Sequence, residues 1–348
     1  MSPKNDTPIL LATFVLTTGL IGGGLWLLSQ NSGLNLGQLL PGKAPANREG
    51  TTGTNPATIQ AVKNVPSGIF SYGGSTSWAP IRAKIDPAIH AAFPSFRLRY
   101  TDPLGGTAGS SAGIRMLLNG QIAFAQSSRP LEPQEYKQAE QRGFQLKQVP
   151  IAIEGIAIAV HPTLPLPGLT LEQLRQIYTG RLTNWREVGG PNLPITPYSR
   201  RVQDAGTVEF FITTILQGQP LGRNVQSVAS TTEALRKVAN TPGSIYYASA
   251  PEVVPQCTVK PLAIARQGAT LVPPYQLPLV PPEACPQQRN QLHTEAFATG
   301  SYPLTRQLFV VIQQNGQVEQ QAGEAYTQFL LSQEGQQLIA ASDFVKLR

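Results

Sequence analysis

The chain has 348 residues, of which 41% are hydrophobic, and this length accommodates two domains of ordinary size. Its formal net charge is +7, but the basic residues are dispersed and form no run longer than a doublet such as Arg200-Arg201. Without a Lys/Arg run, a zinc-ligand spacing or an aromatic RNA-binding motif, the sequence argues against nucleic-acid binding, whereas mild positive charge favours capture of a small anion.

The N-terminal region contains a long apolar run, Pro8–Leu28, whose length of about 21 residues is enough to span a bilayer. Lys4 and the amino terminus lie on its short side, which favours a cytoplasmic N-terminus and an exported remainder. A cleaved signal peptide is the alternative, although no convincing small-x-small cleavage site follows directly after Leu28. We therefore expect residues 1–28 to be a membrane anchor or signal segment, tethering a periplasmic or otherwise extracytoplasmic protein to the inner membrane. Residues 29–66, rich in Gly, Asn, Thr and Pro, read as a flexible linker.

From Ser67 onward, segments with strand and helix patterns alternate. The predicted strands are 69–72, 97–100, 121–126, 149–160, 195–198, 243–248 and 306–312. The predicted helices are 81–93, kinked by its proline, 112–119, 133–142, 171–178 with Thr170 as N-cap, 208–216, 231–239, 324–331 and 334–341. This alternation predicts an α/β fold with largely parallel sheets.

Three loops share one design, because each follows a strand, carries Gly or hydroxyl residues and opens a helix: 73–80 (GGSTSWAP), 105–114 (GGTAGSSAGI) and 201–207 (RVQDAGT). Unpaired N–H groups and the helix dipole at a helix start suit an oxyanion, and the planar fork of Arg201 suits phosphate or carboxylate. A fourth polar loop, 127–130, follows another strand. Ligands of α/β folds bind beyond the carboxyl ends of strands, so these loops predict an anion site; ordinary capped helix starts are the alternative.

The two cysteines, Cys257 and Cys285, flank a Pro-rich segment. Their spacing fits no metal motif, and no other cofactor motif stands out. In an exported chain they predict one disulfide, with two buried free thiols as the alternative.

Several blocks resemble one family. They are Leu171–Leu174 leading to Ile177–Trp185 (IYTGRLTNW), Gly109–Ile114 (GSSAGI) and Phe329–Gln336 (FLLSQEGQ). Together they resemble the phosphate-binding protein of the phosphate ABC transporter, within the type 2 periplasmic binding-protein fold, over roughly residues 69–347. The resemblance implies two α/β lobes, each a mixed sheet flanked by helices, with phosphate between them. We expect 149–160 and 302–312 as the two crossing strands, 67–155 with 303–348 as lobe 1, and 156–302 as lobe 2.

Carried over residue by residue, the resemblance implies that phosphate contacts Thr76, Ser77, Ser110, Ser128, Arg201, Gly206 and Thr207. Two positions depart from the family pattern. Ala205 replaces a serine, which removes one hydroxyl. Ser128 stands where the best-known branch has an aspartate that accepts the phosphate proton, so rejection of sulfate is in doubt unless Asp204 or Glu209 supplies a carboxylate.

The function that the resemblance implies is reversible binding of inorganic phosphate for an ABC permease, with closure of the lobes as the signal. A membrane-anchored sensor or binding module for sulfate or another tetrahedral oxyanion is the alternative. A phosphatase or hydrolase is disfavoured, because His90, His161 and His293 lie far in sequence from Ser110 and Ser128, and no Gly-x-Ser-x-Gly elbow occurs. We therefore expect no catalytic residues.

Overall fold

The structure, a computed structural model, describes residues 56–106, 108–201 and 206–347. All of them belong to one unit of the chain, Thr54–Arg348. The expected anchor or signal segment, 1–28, and most of the expected linker lie outside the described residues. Within the described ranges, no helix is both long and apolar enough to cross a membrane.

Strands and helices alternate along the chain, which confirms the α/β prediction. The strands are β1 (Gly68–Gly74), β2 (Phe96–Tyr100), β3 (Phe124–Ser127), β4 (Gln145–Val160), β5 (Gly168–Thr170), β6 (Thr196–Arg200), β7 (Gln226–Val228), β8 (Ser244–Ser249), β9 (Lys260–Ala265), β10 (Thr305–Gln314) and β11 (Val345–Lys346). The helices are α1 (Ala79–Ala92), α2 (Ser110–Leu118), α3 (Pro133–Gln141), α4 (Leu171–Tyr178), α5 (Gly206–Phe210), α6 (Thr231–Asn240), α7 (Ala250–Val253), α8 (Thr294–Thr299), α9 (Val318–Leu331) and α10 (Gln333–Ala340). A π-helical turn, Phe211–Ile215, continues α5.

The main path of the sheet runs β2-β1-β3-β10-β4-β8-β6-β7. Pairing is parallel among β1, β2 and β3, and again among β6, β7 and β8. Between these groups, β10 pairs antiparallel with both β3 and β4, and β4 pairs antiparallel with β8. The expectation of largely parallel sheets therefore holds only for the two flanking groups, because the chain passes between them along β4 and returns along β10.

The buried apolar residues form separate clusters that correspond to these two groups of strands. The segment from Ile156 to Leu304 supplies one core cluster together with Val345, whereas another is built from β1, α1, α9 and α10 together with the first half of β4 and the second half of β10. A smaller cluster lies between α2 and α3. The change of cluster near residues 155 and 304 supports the expected lobe boundaries, and the division into lobes itself stays a prediction.

Residues 56–66, assigned from sequence to the end of the linker, pack on the core instead. Ile59 and Val62 are buried, and the backbone N–H of Ile59 donates to Glu334 Oε2 at 2.9 Å. The aliphatic residues Ile59, Val62 and Val65 span only seven positions, which is too short a run to predict an element from periodicity.

A disulfide joins Cys257 and Cys285, whose Cα atoms are 5.7 Å apart. It closes the Pro-rich segment that follows β9, within the part of the chain assigned to lobe 2.

A buried polar contact lies at the edge of the β1–α1 core. The Tyr72 hydroxyl donates to the Asp86 carboxylate, and the Tyr72 ring stacks on Phe124 with centroids 5.1 Å apart. Burial raises the pKa of Asp86, and the Tyr72 hydrogen bond and the nearby Arg82 oppose that rise only in part.

We expect Asp86→Asn to flatten the pH dependence of the free energy of unfolding. A carboxyl whose pKa is raised on folding contributes stability that is fully present below about pH 4 and is lost as pH rises through the raised pKa. Wild type should therefore lose stability relative to Asp86→Asn in urea unfolding as the pH rises above about 4. Asp102→Asn, at an exposed position, is the matched control. If the free energy of unfolding changes with pH equally in wild type and Asp86→Asn, the burial of Asp86 has no energetic cost and the prediction is wrong.

Candidate functional site

Three buried serine hydroxyls meet where β1 and β3 end and α2 begins. Ser75 Oγ donates to Ser128 Oγ at 3.0 Å, and Ser110 Oγ lies 3.1 Å from the same atom. Ser110 Oγ also accepts from the backbone N–H of Ser128 at 3.0 Å. We call Ser75, Ser110 and Ser128 the serine cluster. It brings together two predicted site residues and one, Ser75, that the sequence analysis did not select.

Two glycines permit this close approach. Gly74 has φ +125°, and a Cβ there would lie 2.1 Å from the carbonyl oxygen of Gln126. A Cβ on Gly113 of α2 would lie 2.5 Å from the Cα of Gly74. Only glycine at both positions lets α2 and β3 press against the end of β1, and this contact holds Ser75 beside Ser128.

The start of α5 faces the serine cluster from the other side. A Cβ built on Gly206 would lie 3.0 Å from Ser128 Oγ, 3.4 Å from Ser75 Oγ and 3.6 Å from Ser110 Oγ. The first N–H groups of a helix lack partners within the helix and carry partial positive charge. Hydroxyl donors and a helix start are therefore directed at one small region, as an oxyanion requires.

Two further predicted residues, Ser77 and Thr207, meet at a buried arginine. Arg306 Nη2 donates to Ser77 Oγ at 2.6 Å and to Thr207 Oγ1 at 3.0 Å, and Nη1 donates to the Gly206 carbonyl at 3.1 Å. Arg306 Nε donates to Glu154 Oε2 at 2.7 Å. The sequence analysis passed over Arg306, although a charged residue at the head of an apolar strand was an available signal.

A cavity of about 210 Å³ lies beside these loops. Its walls include Thr76, Ser77 and Thr207, together with Tyr246 and Glu252. Burial raises the pKa of Tyr246 to about 12, so its hydroxyl stays protonated at neutral pH. The pKa of the Glu252 carboxyl is raised, first by lost hydration and then by the Glu154 carboxylate.

The two neighbouring arginines differ in position. Arg200, the last residue of β6, lines the cavity, whereas the Arg201 side chain is exposed. Residues 202–205, with Asp204 and Ala205, lie outside the described residues. The assignment of the anion to Arg201 therefore stays a prediction, with Arg200 as a neighbour that shares the cavity wall.

Arg129, which follows Ser128, joins a second polar network. Its Nε donates to Glu209 Oε1 at 2.7 Å, and its Nη2 donates to Ser111 Oγ at 2.8 Å and Glu135 Oε1 at 2.7 Å. The Ser111 hydroxyl also donates to Glu209. Because Glu209 Oε1 already accepts from two side chains, the geometry does not favour Glu209 as the carboxylate that replaces the missing aspartate.

The histidines lie in other local contacts. His90 Nε2 accepts from the backbone N–H of Leu98, His161 Nδ1 pairs with Thr163, and His293 Nδ1 lies 3.3 Å from the Pro273 carbonyl oxygen. In these contacts none of the three touches the serine cluster.

The family model described as the PBP superfamily domain matches residues 50–334. Among curated proteins, the phosphate-binding protein PstS of Staphylococcus epidermidis is 24% identical over 267 residues, which are 76% of this chain and 74% of that protein. Protein SphX of Synechococcus elongatus is 30% identical over a shorter stretch of 117 residues, 32% of this chain and 34% of that protein.

Solved structures match most of the described chain. A putative phosphate ABC transporter substrate-binding protein with bound phosphate, from Clostridium perfringens, has a TM-score of 0.62 at 26% identity and covers 81% of this chain and 100% of its own. An ABC-type phosphate transport receptor from Vibrio cholerae has a TM-score of 0.63 at 23% identity and covers 80% of this chain and 100% of its own. At 23% identity, the match to the Vibrio cholerae receptor shows similarity of fold only.

We expect Glu209→Gln to lower the free energy of unfolding by about 1.5–3 kcal/mol, the scale of a hydrogen bond to a charged group. The variant leaves the largely buried Arg129 with one carboxylate fewer. Glu132→Gln is the control, because the Glu132 side chain also approaches Arg129, at 3.8 Å, but is 57% exposed. The control should cost at most about 0.5 kcal/mol. Urea unfolding measures the free energy of unfolding of both variants. Equal losses of stability in Glu209→Gln and Glu132→Gln would contradict a central role for the Arg129–Glu209 contact.

Proposed function

Because the chain belongs to the PBP superfamily and has the type 2 periplasmic binding-protein fold, we propose that it captures inorganic phosphate between two lobes for delivery to an ABC permease. The observation that carries the proposal is the convergence of the serine cluster with Gly206 at the start of α5. There, hydroxyl groups and the first residue of a helix, from segments distant in the sequence, lie within one small volume. A tetrahedral oxyanion is the ligand class with acceptor atoms on every side.

Binding replaces contacts that the donors now make with each other. A serine hydroxyl donates one hydrogen bond, so a bound phosphate oxygen accepts the hydrogen bond that Ser75 now donates to Ser128. Several charge-assisted hydrogen bonds contribute about 1.5–3 kcal/mol each, against the cost of stripping water from the anion. A net binding free energy of about −8 kcal/mol, which is micromolar affinity, is reasonable for such a site.

The names of the relatives support phosphate over other oxyanions. The staphylococcal relative is called a phosphate-binding protein, and the clostridial structure contains phosphate. Both descriptions name a binding protein, and the clostridial one names a transporter, which supports a binding role without a hydrolytic step. The alternative of a binding module that feeds no transporter predicts phosphate binding with no loss of phosphate uptake when the gene is deleted.

The proposal includes a location outside the cytoplasm and a tether formed by residues 1–28. The apolar run Pro8–Leu28 supports the tether, since it has the length of a bilayer-spanning helix. N-terminal sequencing of the protein from the membrane fraction tests this part, and a mature protein that begins near Asn31 would overturn it.

Calorimetric titration of the compact unit Thr54–Arg348, which keeps the core contacts of Ile59 and Val62, tests the proposed function. Phosphate should bind with micromolar affinity, and Arg201→Ala should weaken binding by about 2 kcal/mol or more, because the fork of Arg201 can hold two anion oxygens. Arg200→Ala is the matched variant and should cost less. A larger loss for Arg200→Ala would assign the anion to the arginine that lines the cavity, and no phosphate binding by wild type would refute the function.

Selectivity follows from Ser128. A carboxylate at this position would accept the proton of monohydrogen phosphate and repel sulfate, whereas a hydroxyl can donate to either anion. Wild type should therefore prefer phosphate over sulfate only modestly, and Ser128→Asp should increase the preference, mainly by weakening sulfate binding.

Dissociation constants for both anions at fixed pH and ionic strength measure this effect. Ser128→Ala is the control: it removes the hydroxyl without adding charge, so it should weaken both anions and leave their ratio nearly unchanged. If wild type already ignores millimolar sulfate, and Asp204→Asn leaves that unchanged, the role given to Ser128 is wrong.

A further inference from the structure

We infer that Arg306 and Glu154 form a positioning pair, which orients the hydroxyls of Ser77 and Thr207 towards the bound anion. The inference rests on the proposed function and adds a device that sets the affinity of the same site. Neither residue belongs to the loops that the sequence motifs identify. Both lie on the central antiparallel strands, where Arg306 of β10 is the direct register partner of Glu154 of β4.

The pair is buried almost completely. The Arg306 side chain is 2% exposed and the Glu154 side chain 0%, with Nε and Oε2 2.7 Å apart. Among the described residues, none donates a hydrogen bond to the second oxygen, Glu154 Oε1. Removing two charges from water is costly, and apolar residues of similar volume often stabilise a fold as well or better. Stability alone therefore explains this pair poorly, and a role in arranging neighbouring groups explains it better.

The three nitrogens of the Arg306 guanidinium bind different partners. Glu154 occupies Nε, which fixes the rotation of the guanidinium plane. Both terminal nitrogens are then directed at the loops, Nη2 at Ser77 and Thr207 and Nη1 at the Gly206 carbonyl. One rigid fork thus connects the loop after β1 with the first turn of α5, which lie about 130 residues apart in sequence.

The direction of these hydrogen bonds carries the inference. Arginine only donates, so Ser77 Oγ and Thr207 Oγ1 must both act as acceptors towards Nη2. Each hydroxyl has one proton, which then points away from the guanidinium. The two O–H donors are thereby set to meet an acceptor on the far side, where both residues line the cavity. A phosphate oxygen there finds hydroxyls whose orientation is already fixed, which lowers the entropy cost of binding.

The charges and contacts of the pair argue against direct attraction or direct binding of the anion by Arg306. Glu154 neutralises Arg306, so the pair presents little net charge, and a long-range pull on the anion is a minor part of its effect. The five N–H groups of Arg306 already meet four acceptor atoms, which leaves little capacity for a direct bidentate grip on phosphate. Arg306 is therefore a positioning residue.

The first test is phosphate titration of Arg306→Lys. An ammonium group keeps the charge but cannot hold the same four acceptors in one plane, so phosphate should bind at least about tenfold more weakly. Arg266→Gln is the control, since Arg266 is exposed and donates to the Gly300 carbonyl, away from these loops. It should bind phosphate as wild type does.

A double-mutant cycle separates positioning from a merely structural role. In the Ser77→Ala/Thr207→Val background the hydroxyls that Arg306 orients are gone, so adding Arg306→Lys should weaken phosphate binding less than about twofold. If Arg306→Lys instead costs the same factor in both backgrounds, Arg306 acts by another route and the inference is overturned.

A second variant covers the case in which a single substitution unfolds the protein. Arg306→Met/Glu154→Met removes both charges together and leaves no unpaired buried ion, so it should fold and still lose phosphate affinity at least about tenfold. Wild-type affinity in this folded variant would overturn the inference while leaving the proposed function intact. Failure of wild type to bind phosphate would instead refute the function on which the inference rests.

Discussion

The buried ion pair between Arg306 and Glu154 is the contact on which the arrangement of the site depends. The Arg306 guanidinium has lost its water, so its N–H groups beyond the one bound to Glu154 need acceptors from the protein. Arg306 meets it by donating to Ser77, Gly206 and Thr207, and this requirement draws two loops together over the central strands. The strands β4 and β10 hold the pair in register, so the geometry of the sheet is transmitted directly to the loops.

Around this centre, the polar groups form two networks with different chemistry. The serine cluster is neutral and its hydroxyls can turn, so its hydrogen bonds can be exchanged for bonds to a ligand. The Arg129 network is charged and pairs one guanidinium with Glu135 and Glu209, which leaves those groups little freedom to turn towards an anion. The site thus combines adaptable donors next to the helix start with a fixed ionic frame beside them.

The sequence pattern predicted the local elements well where a single physical signal controls them. Helix α4 begins and ends as expected, with Thr170 Oγ1 accepting from the Gln173 backbone N–H at 3.1 Å, because cap and periodicity both lie within a few residues. The sequence pattern predicted less where contacts with residues distant in the sequence determine the local structure. Residues 59–62 pack on the core against expectation, and α5 ends in a π-helical turn that nothing in its composition indicates.

The sequence by itself determined the α/β class and the loops that open helices, which depend on short-range chemistry, namely glycine, hydroxyl and cap residues next to strand ends. The family resemblance added six residues that the structure places at these loops: Thr76, Ser77, Ser110, Ser128, Gly206 and Thr207. Only the tertiary structure decided that Ser75 joins the serine cluster, that Arg200 lines the cavity and that Arg306 connects the loops. Those contacts join residues 50 to more than 200 positions apart, and which side chains meet across such distances is settled by strand register and packing.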